Sequence, residues 1–338
     1  MPKKYSIKDV AKLSNVSAAT VSRVINNNGR FSEETRKRVL ASIKTLNYEQ
    51  NKLAVSLRKK VSNTIGILVP DITNEFYSVI VKKCEQILFT SGFSTIVCNT
   101  ERSISREQNY LKVLSEHMVD GIIIISANFD AKRDTHNRVP IVYIDRDPYL
   151  KNEFIVTSDH YTGAQKATDF FVENNYSPYI ITTKTKSSAT LERIRGFNSS
   201  VSKHFIDQDI KKREIVLPIT SDKYLLENYL LDDFIKNIKK STKKIGVFAV
   251  NDYIAFMVIR SALKNNVSIP DDLSVIGFDD APVSLISTPS ISTVQQDTSL
   301  IAKQSCEILI NQLHSISPSI KKGTKIIPVK LILRESTP

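Results

Sequence analysis

The sequence predicts an all-α head of three short helices, then a larger α/β core built from two doubly wound parallel sheets. Three observations carry that expectation. Across the first 50 positions, apolar residues recur at helical spacing in short bursts separated by turn residues. From about residue 62 onward, unbroken apolar runs of strand length alternate with amphipathic stretches. The length of 338 residues also suits two or three folded units, at roughly 100 to 200 residues per domain.

The head reads element by element. Ser6 precedes Ile7, Val10 and Ala11, with Asp9 three residues on, an N-cap signature opening an amphipathic helix. Ser14-Asn15-Val16 is a short polar break. Ser17 can cap a second helix carrying Val21, Val24 and Ile25. Asn26-Asn27-Asn28-Gly29 ends it with residues that tolerate positive φ. Ser32, with Glu33 and Glu34 in the first turn, starts a third helix whose apolar positions are Val39, Leu40, Ile43 and Leu46. Helices so short and so closely joined form a helix-turn-helix unit.

Charge singles out the same segment. Residues 1–60 carry 14 Lys or Arg against 4 Asp or Glu, while the other 278 carry 33 against 31. The net charge of +12 therefore sits almost wholly at the amino end. That bias fits a solvated basic tail or an electrostatic footprint for a polyanion. The second helix decides between them. With its apolar residues turned inward, Ala18, Ala19, Ser22, Arg23 and Asn26 occupy the outer face. Small residues at a helix start let the backbone lie close to base edges in a major groove. An arginine one turn on can reach both acceptors of guanine, a bidentate pair giving about 1–3 kcal/mol of discrimination. Ser17, Thr20, Ser22 and Asn26 suit phosphate oxygens, which set register. The plainer alternative is that Arg23 merely solvates a small bundle.

The run Ile7-Lys8-Asp9-Val10-Ala11-Lys12, followed by Val16-Ser17-Ala18-Ala19-Thr20-Val21-Ser22-Arg23-Val24-Ile25-Asn26, resembles the head of the lactose/galactose-repressor family of bacterial transcription regulators. Ser32-Glu33-Glu34-Thr35-Arg36 and Leu46-Asn47-Tyr48 continue the match, which runs through nearly the whole chain. The resemblance implies base contacts from Ala18, Ala19 and Arg23. It also implies a hinge over residues 50–61 that becomes helical only on operator DNA, where Leu57 and its dimer mate wedge into a minor-groove step. By composition alone that segment could equally be a plain linker, too short for a stable isolated helix. Val55 stands where the family usually has arginine, which leaves weaker hinge or phosphate contacts open.

In the core, strands are expected over 64–69, 93–97, 121–125 and 141–144, with helices near 75–91 and 104–117. A second set follows, with strands near 179–182, 215–217, 245–250 and 274–278 and helices near 162–174, 190–204, 222–238 and 252–266. Two such sets suggest two lobes, and ligands bind such sheets at the carboxyl ends of the strands. The resemblance implies the two-lobed fold of periplasmic sugar-binding proteins, with chain crossovers. The expected organisation is a head over 1–49, a hinge over 50–61, and an effector-binding and dimerisation domain over 62–338. Its first lobe is expected over about 62–160 and 291–324, its second over about 161–290 and 325–338.

Polar residues follow several of the apolar strands, where that cleft would lie. Asp71 and Asn74 follow the first, with Phe76 and Tyr77 close behind; Asp145-Arg146, Asn251-Asp252 and Asp279-Asp280 follow others. Singly, each could cap the next helix or form a local ion pair. Together they offer planar hydrogen-bonding groups beside aromatic rings, which suits a sugar. By resemblance, Asn74, Phe76, Asp145, Arg146, Arg193, Asn251, Asp279 and Gln296 match effector contacts of sugar-responsive members. With Tyr77 added, the set is similar to that of ribose-binding proteins and ribose repressors, implying a pentose such as ribose. Arg195 competes with Arg193 for its role, and Asp159, in the crossover signature Asp159-His160-Tyr161-Thr162-Gly163, is expected to support the cleft.

Other classes find little foothold. The longest apolar run, residues 121–127, is far short of the ~20 residues of a membrane span. No apolar stretch follows Met1-Pro2-Lys3-Lys4, so no secretory signal is read. Cys84, Cys98 and Cys306 are widely spaced, and the five histidines lack metal-ligand spacing. Neither GxSxG nor GxxxxGK[ST] occurs. No cofactor, metal or catalytic residue is expected, and the chain reads as cytoplasmic and nucleoid-associated. No leucine heptads follow 326–333, so a dimer rather than a coiled-coil tetramer is expected. The function so read is a dimeric repressor on a palindromic operator, with sugar as inducer. The alternatives are a carbon-catabolite regulator driven by a phosphorylated carrier protein, and a sugar-binding protein without DNA regulation.

Overall fold

The computed structural model describes residues 5–49, 61–125, 139–145, 153–184, 187–205, 210–218, 229–238, 241, 243–314 and 322–338. Residues 50–60 of the expected hinge, with Val55 and Leu57, lie outside the described residues, as does Arg146. The chain divides into two compact units, Met1–Ser62 and Asn63–Pro338.

The first unit holds α1 (Ile7–Leu13), α2 (Ala18–Ile25) and α3 (Glu33–Thr45). Each start is capped by its own serine. The Ser6 backbone N–H donates to Asp9 Oδ2 at 2.7 Å, and Ser17 and Ser32 Oγ accept from the N–H groups of Thr20 and Thr35 at 3.1 and 3.2 Å. Asn15, Asn27 and Gly29 take positive φ in the turns, a conformation that asparagine and glycine adopt more readily than other residues. Helices this short are marginal alone. Here they are held by a shared core of Val10, Ala11, Val21, Val24 and Val39.

The second unit begins with β1 (Thr64–Val69), α4 (Glu75–Thr90), β2 (Ser94–Asn99), α5 (Ile104–Glu116), β3 (Gly121–Ile125), β4 (Ile141–Ile144) and β5 (Phe154–Ser158). It continues with α6 (His160–Glu173), β6 (Ser177–Thr183), α7 (Ser188–His204), β7 (Glu214–Leu217), α8 (Tyr229–Ile238), β8 (Ile245–Ala249), α9 (Asp252–Lys264), β9 (Leu273–Asp279), α10 (Pro282–Ile286) and β10 (Ser292–Gln296). It closes with α11 (Thr298–His314), β11 (Gly323–Ile327) and β12 (Val329–Ile332). Among the described residues these strands form two six-stranded sheets, ordered β11-β5-β4-β3-β1-β2 and β12-β10-β9-β8-β6-β7. Every pairing is parallel except that of β12 with β10. Strands β3, β4, β5, β8 and β9 are buried along their whole length. They are flanked by helices on both faces, which is why they read as continuous apolar runs.

Sheet membership corrects the expected lobe limits. β10 pairs with β9 in the second sheet, so the chain re-enters the first lobe after Gln296, not near 290. β11 pairs with β5 in the first sheet, so the last crossing falls at Pro328 rather than near 324. β10 reads Ser-Thr-Val-Gln-Gln and lacks an apolar run because its polar side chains have buried partners. Thr293 Oγ1 donates to Asp252 Oδ1 at 2.5 Å, and Gln296 Nε2 to Asp279 Oδ1 at 2.7 Å. No helix among the described residues is long and apolar enough to cross a membrane.

Candidate functional site

On α2, Ser17, Ala19, Arg23 and Asn26 are exposed, while Ala18, Thr20 and Ser22 are half-buried. Ala18 packs against the helical core, so Ala19 and Arg23 stand further out than it does. The Ser17 and Thr20 hydroxyls lie 2.9 Å apart within the cap, and Asn26 Nδ2 donates to the Ser22 carbonyl at 2.7 Å. Arg23 is aimed by the turn that follows. Its stem lies along Gly29 (φ +94°), where an added Cβ would stand 3.4 Å from Arg23 Cδ. Among the described residues its guanidinium makes no hydrogen bond or ion pair. An exposed guanidinium of this kind suits base contact and simple solvation alike.

In the second unit, the parallel strands bring their carboxyl ends together. Asn74 follows β1 and caps α4, its Oδ1 accepting from Phe76 and Tyr77 N–H at 3.0 and 3.4 Å. Asn251 follows β8 and caps α9, accepting from Ile254 N–H at 2.8 Å. The capping alternative thus holds for both; each keeps its amide NH₂, and Asn251 also keeps a lone pair on Oδ1, for a further partner. Asp145 follows β4, Asp279 ends β9 and Gln296 ends β10. Asp145, Asp279, Gln296 and Arg193 of α7 are all buried.

These buried groups form one network. Arg193 donates from Nε to His160 Nδ1 at 3.3 Å, from Nη1 to the Val250 carbonyl, and from Nη2 to Asp279 Oδ1 at 3.2 Å. Its guanidinium lies 3.7 Å over the Phe278 ring. Asp145 Oδ1 accepts from Thr157 Oγ1 and pairs with His160 Nε2, both at 3.1 Å. Gln296 Oε1 is buried and accepts no hydrogen bond from the described residues. Arg195, the competitor, is exposed, pairs with Glu192 at 2.9 Å and stacks on Tyr161. Arg193 alone reaches the network. Asp159 caps α6 by accepting from Thr162 N–H at 3.0 Å, a supporting part.

Electrostatics differ across the network. Burial pushes the Asp279 carboxyl up to about 6, with the charge of Asp145 adding to it and Arg193 and Gln296 opposing. Burial also acts on Asp145, but the charges and hydrogen bonds of His160, Arg193 and Thr157 outweigh it and hold that carboxyl below the usual range. Burial lowers His160 against the pull of Asp145. The Tyr77 hydroxyl is pushed up to about 12 by burial and feels Arg102, Asp145, Asp279 and Arg193, which places it by the same cluster. Phe76 packs beside it, ring centroids 5.6 Å apart. A cavity of about 400 Å³, within the usual range for small-ligand sites, opens beside Phe76, Asp279 and Gln296. It continues past Glu75, Pro282 and Leu285; Asp145, Arg193 and Asn251 do not line it.

Sequence reasoning missed Thr157 and, with more consequence, His160 as members of this network. The one signal for His160 is a position directly after Asp159; its partners lie 15 and 33 residues away.

A model of the bacterial regulatory proteins of the lacI family matches residues 6–51, and a periplasmic binding protein-like domain matches residues 169–337. The chain is 32% identical over 337 residues to a ribose operon repressor of Halalkalibacterium halodurans, covering 98% of this chain and 97% of the relative. It is 33% identical over 331 residues to a sucrose operon repressor of Streptococcus mutans, covering 97% and 98%. Among solved structures, the lac repressor dimer bound to operator and the anti-inducer ONPF matches with a TM-score of 0.85 over 99% of both chains. At 23% identity that likeness speaks for the fold alone. A LacI family transcriptional regulator from Enterococcus faecium with bound ribose is 27% identical, with a TM-score of 0.68 over 81% of this chain and 98% of the neighbour.

Proposed function

The chain belongs to the lacI family of bacterial regulatory proteins, and from that premise we propose a transcriptional repressor that grips a palindromic operator as a dimer until a sugar binds its core. It is a regulator rather than an enzyme. It works in the cytoplasm, on the nucleoid. In each protomer Ala18, Ala19 and Arg23 read base edges of one half-site, while Ser17, Thr20, Ser22 and Asn26 hold phosphates. Leu57 of each hinge wedges into the minor groove between the half-sites.

The effector is a neutral pentose such as ribose. It is held by Asn74, Phe76, Tyr77, Asp145, Arg146, Arg193, Asn251, Asp279 and Gln296. The observation that carries this half of the reading is the buried Gln296 Oε1, which stands beside the Asp279 carboxyl and accepts no hydrogen bond from the described residues. Unpaired buried acceptors are costly, and a ring of hydroxyl donors answers them. The names of the ribose operon repressor and of the ribose-bound neighbour support the same choice. Sugar that binds one arrangement of the lobes better than the other shifts the protein toward it, and the operator is released.

The test is a gel-shift titration of operator complex with pentoses, hexoses and their phosphates. Ribose is expected to lower operator affinity. If no sugar changes it, the effector reading fails while the DNA reading survives. A regulator driven by a phosphorylated carrier protein draws no support from the relatives.

A further inference from the structure

The chain's polar effector groups are divided between the lobes, Asp145 on the first and Arg193, Asp279 and Gln296 on the second. Among the described residues, His160 contacts a charged group of each. His160, at the start of α6, is 3% exposed and lies between Asp145 and Arg193 at 3.1 and 3.3 Å. Its ring packs on Phe278, centroids 5.5 Å apart, the same ring that carries the Arg193 guanidinium.

We propose that His160 is a positioning residue of the effector pocket, a neutral imidazole that ties Asp145 of the first lobe to Arg193 of the second and orients both toward the sugar. The assignment rests on the sugar-responsive reading above.

The chemistry is set by which nitrogen carries the proton. Arg193 Nε has a hydrogen to give and no lone pair to accept one. The facing Nδ1 must therefore be the bare nitrogen, and Nε2 carries the hydrogen that goes to Asp145 Oδ1. Only the neutral Nε2–H tautomer satisfies both contacts. Protonation puts a second N–H against Arg193 Nε and a second positive charge beside the guanidinium, while it strengthens the pair with Asp145. Acid therefore breaks the bridge on the Arg193 side. The groups facing His160 fit this assignment: Asp145 after β4, Asp159 preceding it in the chain, Arg193 from α7 and the uncharged Phe278 ring from β9. Burial lowers the imidazole, and the Arg193 charge lowers it further, against Asp145 and Asp159. Thr157 Oγ1 and Ser188 Oγ hold the Asp145 carboxylate and carbonyl from the other directions, so His160 is that carboxylate's link to Arg193.

Two measurements on the full-length protein test it. With ¹⁵N-labelled histidine and no added sugar, NMR should show His160 at about pH 7.5 with Nδ1 bare and Nε2 protonated. Its signal is identified by its loss in His160→Gln. A His160 that carries hydrogen on Nδ1, or is already an imidazolium there, overturns the bridge. The second measurement is calorimetric titration with D-ribose at about pH 7.5. His160→Phe, which keeps the ring packing, should bind about tenfold or more weakly, the order expected when buried charged groups lose a hydrogen bond. His160→Gln, which offers one donor and one acceptor, should bind within about threefold of wild type. If His160→Phe, folded by circular dichroism, binds as wild type, or if His160→Gln binds as weakly as His160→Phe, the proposal fails. Should none of the three proteins bind ribose, the ribose reading is what fails, and the tautomer still upholds or overturns the bridge.

Discussion

Replacing Asp279 by asparagine should make the protein more stable at neutral pH while costing it its effector. The Asp279 carboxyl titrates near 6 in the folded chain against an ordinary 3.8, raised first by burial and then by the Asp145 charge. A rise of about two units means that ionising it costs about 3 kcal/mol more in the folded state than in the unfolded one. A raised folded pKa contributes stability that is fully present below the unfolded value and is lost as pH rises through the folded one. Wild type should therefore lose about 3 kcal/mol between roughly pH 4 and pH 7 on this account. Asp279→Asn resembles the neutral acid and keeps an oxygen for Arg193 Nη2 and Gln296 Nε2. It should escape that loss, so the gap in stability over wild type grows from near zero at about pH 4 to as much as about 3 kcal/mol at about pH 7.5. The charged acceptor for a sugar hydroxyl disappears, weakening ribose by about ten- to a hundredfold. Such a trade of stability for function is common at binding sites. Urea titrations across that pH range give the first quantity and calorimetry the second. A variant that is less stable than wild type at pH 7.5, or a gap that does not change with pH, would refute the reasoning.

Three further outcomes follow from the geometry. Arg23→Ala should cost about 1–3 kcal/mol on a cognate duplex and far less on a scrambled one, which competition gel shifts will read. Gly29→Ala places a Cβ at φ +94° and 3.4 Å from the Arg23 stem, and should weaken the head by about 1–3 kcal/mol, seen as faster hydrogen exchange in α2 and α3. Gly196→Ala drives a Cβ to 2.2 Å from the Tyr161 carbonyl, where α7 crosses α6; a loss of about 1–3 kcal/mol should lower Tm, and an unchanged Tm would count against the close approach.

Much of this protein is local physics, and local physics is legible in a sequence. Each head helix begins at a serine whose neighbours can use its hydroxyl, and each ends where asparagine or glycine tolerates positive φ. β3, β4, β8 and β9 announce themselves because a strand covered on both faces has no polar side to show. β5 and β10 are harder to see. β10 hides its polar residues in hydrogen bonds to Asp252 and Asp279, partners that no window of sequence contains. The break that sends β11 to one sheet and β12 to the other falls at Pro328, inside a stretch, residues 326–333, that reads as one strand.

The sequence by itself determined the capped three-helix head, the concentration of positive charge there, the alternation that builds two parallel sheets, and which polar residues stand at strand ends. Only the tertiary structure decided which lobe takes β10, that Arg193 rather than Arg195 enters the pocket, and that His160 lies between Asp145 and Arg193. The reason is one of range. Caps, turns and periodicity act over a few residues and leave their mark in the order of the chain. Burial and tautomer depend on groups brought together from distant strands, and those meet only once both sheets have formed.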